Sequence, residues 1–90
     1  MADERLTATV TGLVQGVGFR YWTRAQAEQL GLGGMAVNRP DGTVLITAEG
    51  PRPSLERLVA LLESGAPGRV DRVETSFAAA VGGFQGFGVG

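Results

Sequence analysis

Apolar and polar residues alternate at the start of the chain, where Leu6, Ala8, Val10 and Gly12 interleave with Thr7, Thr9 and Thr11. A period of two puts alternate side chains on opposite faces, so residues 5–13 read as a strand with one buried face. The period then changes. Phe19, Trp22, Thr23, Ala27 and Leu30 share one side of a helical wheel and Arg24 and Glu28 the other, which predicts an amphipathic helix over 20–31 closed by Gly31 and Gly33-Gly34. Met35 to Arg39 reads as a second strand, Arg39-Pro40-Asp41-Gly42 as a turn, and Thr43 to Glu49 as a third strand with Val44, Ile46 and Ala48 on one face. Leu55, Leu58, Val59 and Leu62 recur at helical spacing after Gly50-Pro51-Arg52-Pro53-Ser54, and Gly65, Pro67 and Gly68 stop that helix. Val70 to Phe77 forms a fourth strand, with Val73, Thr75 and Phe77 on one face, and residues 84–90 alternate again as a short edge strand.

The order β-α-β-β-α-β predicts an α+β, ferredoxin-like domain, with a mostly antiparallel sheet and both helices on one face. Residues 1–90 are expected to make one such domain. This arrangement hosts many activities, so function has to come from a site.

Composition narrows the chemistry. The chain has no cysteine and no histidine, which removes disulfides, thiol nucleophiles, thiolate metal sites and the commonest general base. All eight basic residues are arginine, so Schiff-base chemistry and lysine-dependent phosphate loops are excluded. The nine acids form no ligand cluster in sequence, and no metal or cofactor is expected. A net charge of −1 gives no broad basic field for nucleic acid. No apolar run approaches the roughly 20 residues of a membrane span, and the acidic start lacks a signal-peptide pattern. The expectation is a cytoplasmic protein that binds neither nucleic acid nor membrane.

The segment from Gly12 to Arg20 carries the most chemistry. Gly16 and Gly18 lie between a strand and a helix, where positive φ lets several N–H groups converge. The helix N-terminus adds unpaired N–H groups and partial positive charge, and Arg20 adds a planar donor fork. A dianionic tetrahedral group suits such a cradle. The dinucleotide fingerprint fails because Tyr21 occupies its third glycine position, and the Walker A pattern fails for want of lysine. On the glycines alone, the loop could equally turn strand into helix with Arg20 solvated. Asn38, just before the 39–42 turn, is either a turn-capping residue or a site residue, depending on whether the fold brings its strand beside the loop. Phe19, Trp22, Phe77, Phe84 and Phe87 read as core rather than a base-stacking platform, and Val70 to Phe77 lacks the basic-aromatic string of an RNA-binding strand. Glu49, Glu56, Glu63 and Glu74 read as solvated surface.

Residues 10–20, Val-Thr-Gly-Leu-Val-Gln-Gly-Val-Gly-Phe-Arg, resemble the signature of the acylphosphatase family. Ala27 to Leu32, Val37 to Val44, Ala48-Glu49-Gly50 and Gly83 to Phe87 extend the resemblance over nearly the whole chain. It implies a metal-free, ferredoxin-like enzyme that hydrolyses acyl phosphates to a carboxylate and inorganic phosphate. By this resemblance Arg20 binds the phosphate, the backbone N–H groups of Gln15, Gly16, Val17, Gly18 and Phe19 hold its oxygens, and Asn38 orients the attacking water. The partners implied are a small-molecule acyl phosphate and inorganic phosphate, and a monomer is expected. The family usually carries Gly-Trp-Val-Arg-Asn where this chain has Gly34-Met35-Ala36-Val37-Asn38, and often histidine at Thr11. A changed pocket rim and changed loop support are the expected consequences. A catalytically idle binding module and a nucleic-acid-binding domain are the competing readings.

Overall fold

The threonine-bearing strand is the second strand of the sheet and its longest-paired member. In the computed structural model, which describes residues 2–90, β1 (Glu4–Leu13) is followed by α1 (Phe19–Gln29), β2 (Gly33–Asn38), β3 (Val44–Gly50), α2 (Arg52–Ser64), β4 (Arg69–Ala79) and β5 (Phe87–Val89). The sheet order is β4-β1-β3-β2-β5. Every pairing is antiparallel except that of β2 with β5.

Strand alternation determines which residues face the helices. The register aligns Phe77, Leu6, Ala48 and Gly34 across four strands, then Thr75, Ala8, Ile46 and Ala36, then Val73, Val10, Val44 and Asn38. The apolar side chains of these rows pack with Phe19 and Ala27 of α1 and Leu55, Leu58 and Leu62 of α2 in one core. Burying each such leucine is worth about 1.5–3 kcal/mol. Asn38 is therefore the one polar residue in an otherwise valine row, at its outer end. The other face carries Thr7, Thr9, Thr11 and Thr47, all partly exposed.

Some local expectations need correction. α1 ends at Gln29, and Gly33 and Gly34 belong to β2 rather than to the helix stop. The reason is strand packing: Gly34 has φ 152°, and a Cβ there would overlap the Thr47 carbonyl oxygen of β3. Arg39 and Thr43 lie in the turn, not in strands. β4 is longer than expected and carries a bulge: Thr11 pairs with Arg72 but Gly12 with Val70, which leaves Asp71 unopposed. The extra residue brings Val70 onto the same face as Val73.

Glu49 is not solvated surface. It is 9% exposed, and its carboxylate accepts from Arg5 Nε at 2.7 Å, Val81 N–H at 2.8 Å and Gly82 N–H at 2.9 Å. Phe84 is not core either; the Arg5 guanidinium lies 5.3 Å from its ring centre. Phe19 and Phe87 are buried, and Trp22 and Phe77 pack against the core from its margin.

Candidate functional site

The buried face of β1 ends at Val14, which is 1% exposed, and the next buried residue is Phe19. These two anchors hold Gln15, Gly16, Val17 and Gly18 between them as an exposed loop. Gly16 (φ 77°) and Gly18 (φ 80°) both take left-handed backbone, and Gly18 caps α1 in that conformation. A Cβ at either would meet nothing, so conformation rather than space calls for glycine.

The positive end of α1 gets no help from local side chains. No side chain caps the helix, and its first turn contains no acid. The first helical N–H groups have no partner within the helix, and the first bond back to the cap runs from Trp22 N–H to the Gly18 carbonyl at 3.0 Å. Arg20, a cation, sits in this first turn, where the helix dipole disfavours it. An anion at the loop would offset both charges. Arg20 and Arg24 also flank the half-exposed Tyr21 ring, at 5.9 Å and 5.2 Å.

The fold brings Asn38 to this loop by two routes. The Gly90 main-chain oxygen accepts from Arg20 Nη1 and, at 3.2 Å, from the Asn38 N–H. Arg20 and Asn38 are thus each one hydrogen bond from a single atom. From the other side, Gln15 Nε2 donates to the carbonyl of Arg39 at 2.8 Å and of Thr43 at 2.9 Å, tying the loop to the turn that follows Asn38. The Asn38 Oδ1 is buried without a hydrogen-bond partner among the described residues. A buried acceptor left unpaired costs about 1–3 kcal/mol, which a bound donor would recover.

The turn is braced from within. Asp41 Oδ1 accepts from Thr43 N–H at 3.0 Å and from Thr43 Oγ1 at 2.6 Å. The Thr43 hydroxyl and then its N–H hold the Asp41 carboxyl below its ordinary value.

All seven residues expected at the site, Gln15 to Arg20 and Asn38, lie at this end of the sheet. The departures at Met35 and Val37 lie on the opposite face of β2 from Asn38. Both lie near Gly90, where an added Cβ would meet Val37 at 3.5 Å and Met35 at 3.8 Å. Thr11 likewise lies on the open face, opposite Arg72. Sequence reading missed the Gln15 carboxamide and the Gly90 main-chain oxygen. Neither has a local signal, because both partners are distant in the chain.

A family model described as Acylphosphatase matches residues 6–89. An acylphosphatase of Mycobacterium avium (strain 104) is 54% identical over 94% of this chain and 93% of its own. One of Rhodococcus jostii (strain RHA1) is 58% identical over 93% of this chain and 96% of its own. The crystal structure of acylphosphatase from Bacillus subtilis is similar at a TM-score of 0.90 and 34% identity, covering 96% of this chain and 97% of that one.

Proposed function

Since the chain belongs to the acylphosphatase family and is a hydrolase of acyl phosphates, we propose how its residues divide that reaction. The backbone N–H groups of Gln15 to Phe19 and the guanidinium of Arg20 hold the phosphate oxygens. Asn38 Oδ1 accepts a hydrogen bond from the attacking water. The observation that carries this reading is the Gly90 main-chain oxygen shared by Arg20 and Asn38, beside an Oδ1 that lacks a partner among the described residues.

The water oxygen bonds to phosphorus as the bond from phosphorus to the acyl oxygen breaks. The leaving group is a carboxylate, the weak base of an acid that ionises near pH ~4, so it needs no general acid. The water's proton passes to a phosphate oxygen of the substrate dianion, which removes the need for a histidine base. Phosphoryl transfer is largely positioning and charge stabilisation. Arg20 and the converging amides supply the charge, so turnover is expected to persist in excess chelator. The same reading takes the enzyme as a cytoplasmic monomer of one domain acting on a small diffusible substrate. Size-exclusion chromatography against the 9.3 kDa chain mass checks the monomer.

The test is hydrolysis of benzoyl phosphate in chelator by wild type and Asn38→Ala, with inorganic phosphate affinity measured in both. Wild-type turnover that falls about a hundredfold in Asn38→Ala, at nearly unchanged phosphate affinity, supports water positioning. Equal losses in turnover and affinity contradict it. Phosphate binding without wild-type turnover would favour an idle binding module.

A further inference from the structure

Gln15 lies in an exposed loop, where a solvated glutamine would keep its rotamer freedom, yet both hydrogens of its carboxamide are committed. They go to carbonyls 24 and 28 residues away, those of Arg39 and Thr43. Those carbonyls belong to a turn that is already closed: Arg39 N–H donates to Thr43 O at 2.9 Å, Gly42 N–H to Arg39 O at 3.0 Å, and Asp41 braces Thr43. The clamp therefore joins the loop to a stiff body, and Asn38 is the residue immediately before that body. Two diverging donors on one nitrogen suit two carbonyl acceptors. A glutamate would present only acceptors to them.

We propose that Gln15 is a positioning residue whose carboxamide sets the spacing between the phosphate cradle and Asn38. The proposal rests on the division of roles given above. The loop's backbone N–H groups hold phosphate without the clamp, because their directions depend on Gly16 and Gly18. What the clamp adds is the register between the held phosphorus and the water at Asn38. A misplacement near 1 Å there costs about a hundredfold in rate.

The experiment is a double-mutant cycle of Gln15→Met and Asn38→Ala on benzoyl phosphate. Inorganic phosphate inhibition is measured alongside, and urea midpoints confirm folding. Gln15→Met keeps the side-chain length and removes both donors. Alone, it is expected to lower kcat between about tenfold and a hundredfold, with the phosphate inhibition constant nearly unchanged. In the Asn38→Ala background it is expected to cost no more than about twofold, because there is no positioned water left to lose. The same loss of kcat in both backgrounds, or a matching loss of phosphate affinity, overturns the proposal. A second measurement needs no variant. By NMR, the Gln15 carboxamide protons of the wild type are expected to exchange with water more slowly than those of the exposed Gln29, and equal rates overturn the clamp. Full turnover in Asn38→Ala by itself would sink the water-positioning reading, while the exchange measurement still judges the clamp separately.

Discussion

The two ends of the sheet use the same chemistry to opposite purposes. At one end, backbone N–H groups of the glycine-bearing 80–83 segment and the guanidinium of Arg5 surround a carboxylate, and that carboxylate is the chain's own Glu49. At the other, a loop with Gly16 and Gly18, a helix N-terminus and Arg20 gather positive charge, and the first turn of that helix contains no acidic side chain. The Glu49 end is satisfied internally, so its charges contribute to stability and are unavailable to a ligand. The Arg20 end keeps a cation at a helix N-terminus and a buried Asn38 oxygen without a partner among the described residues, a local cost in the folded state; on the proposed division of roles, a bound anion and its water offset it. On the reading proposed above, the cradle filled by Glu49 is a latch and the one at Arg20 is the site.

The comparison breaks most sharply at its two arginines. Arg20→Ala is expected to lower kcat/KM for benzoyl phosphate about a thousandfold, as loss of an arginine that meets phosphoryl charge does, with little change in the urea midpoint. Arg5→Ala is expected to do the reverse, lowering the urea midpoint while kcat stays within about twofold. If the two exchange effects, the assignment of latch and site is wrong.

Acid sharpens the comparison next. The Val81 N–H, then Arg5 and the Gly82 N–H, hold the Glu49 carboxyl below its ordinary value of 4.5, against the desolvation that raises it. A carboxyl lowered in the folded state contributes stability that is full above its unfolded value and is lost as pH falls through the lowered one. Wild-type urea midpoints are therefore expected to fall on acidification below about pH 4.5, and Glu49→Gln to start lower and fall less steeply. Some slope should remain, because Asp41 at the other end is lowered in the same direction from 3.8. An unchanged pH profile in Glu49→Gln would remove Glu49 from the latch.

The smallest effects separate strain from function. Gly16 and Gly82 both have positive φ, at 77° and 87°, and open space where a Cβ would go. Alanine at either is expected to cost about 1–2 kcal/mol of stability, the ordinary left-handed penalty. On the proposed division of roles only Gly16→Ala should also reduce turnover, because its loop is the one assigned to the phosphate. Equal activity in the two variants would show that the cradle's backbone directions do not matter.

Much of this was legible in the residues. Thr7 to Thr11 between Leu6, Ala8 and Val10 announced a half-buried strand, and Leu55, Leu58 and Leu62 announced the second helix, because both periods follow from side-chain direction alone. Gly16 and Gly18 marked a left-handed loop ahead of the first helix for the same local reason. The bulge at Asp71, the entry of Gly34 into β2 and the burial of Glu49 were not legible. Each depends on a strand or loop far away in sequence: Gly12 of β1, Thr47 of β3, and Val81 with Gly82. Asn38 lies between these cases. Its residue type and its neighbouring turn were visible, but its place at the end of the row Val73, Val10, Val44 came only from register.

The sequence by itself thus determined the elements, the glycine loop and the absence of histidine and cysteine chemistry, since these are properties of neighbouring residues and of composition. Only the tertiary structure decided that Asn38 meets Arg20 through the Gly90 main-chain oxygen, that Gln15 ties the loop to the turn, and that Glu49 closes the opposite end. Hydrogen bonds between residues 24 to 70 positions apart have no local signature and exist only once the sheet has set its register.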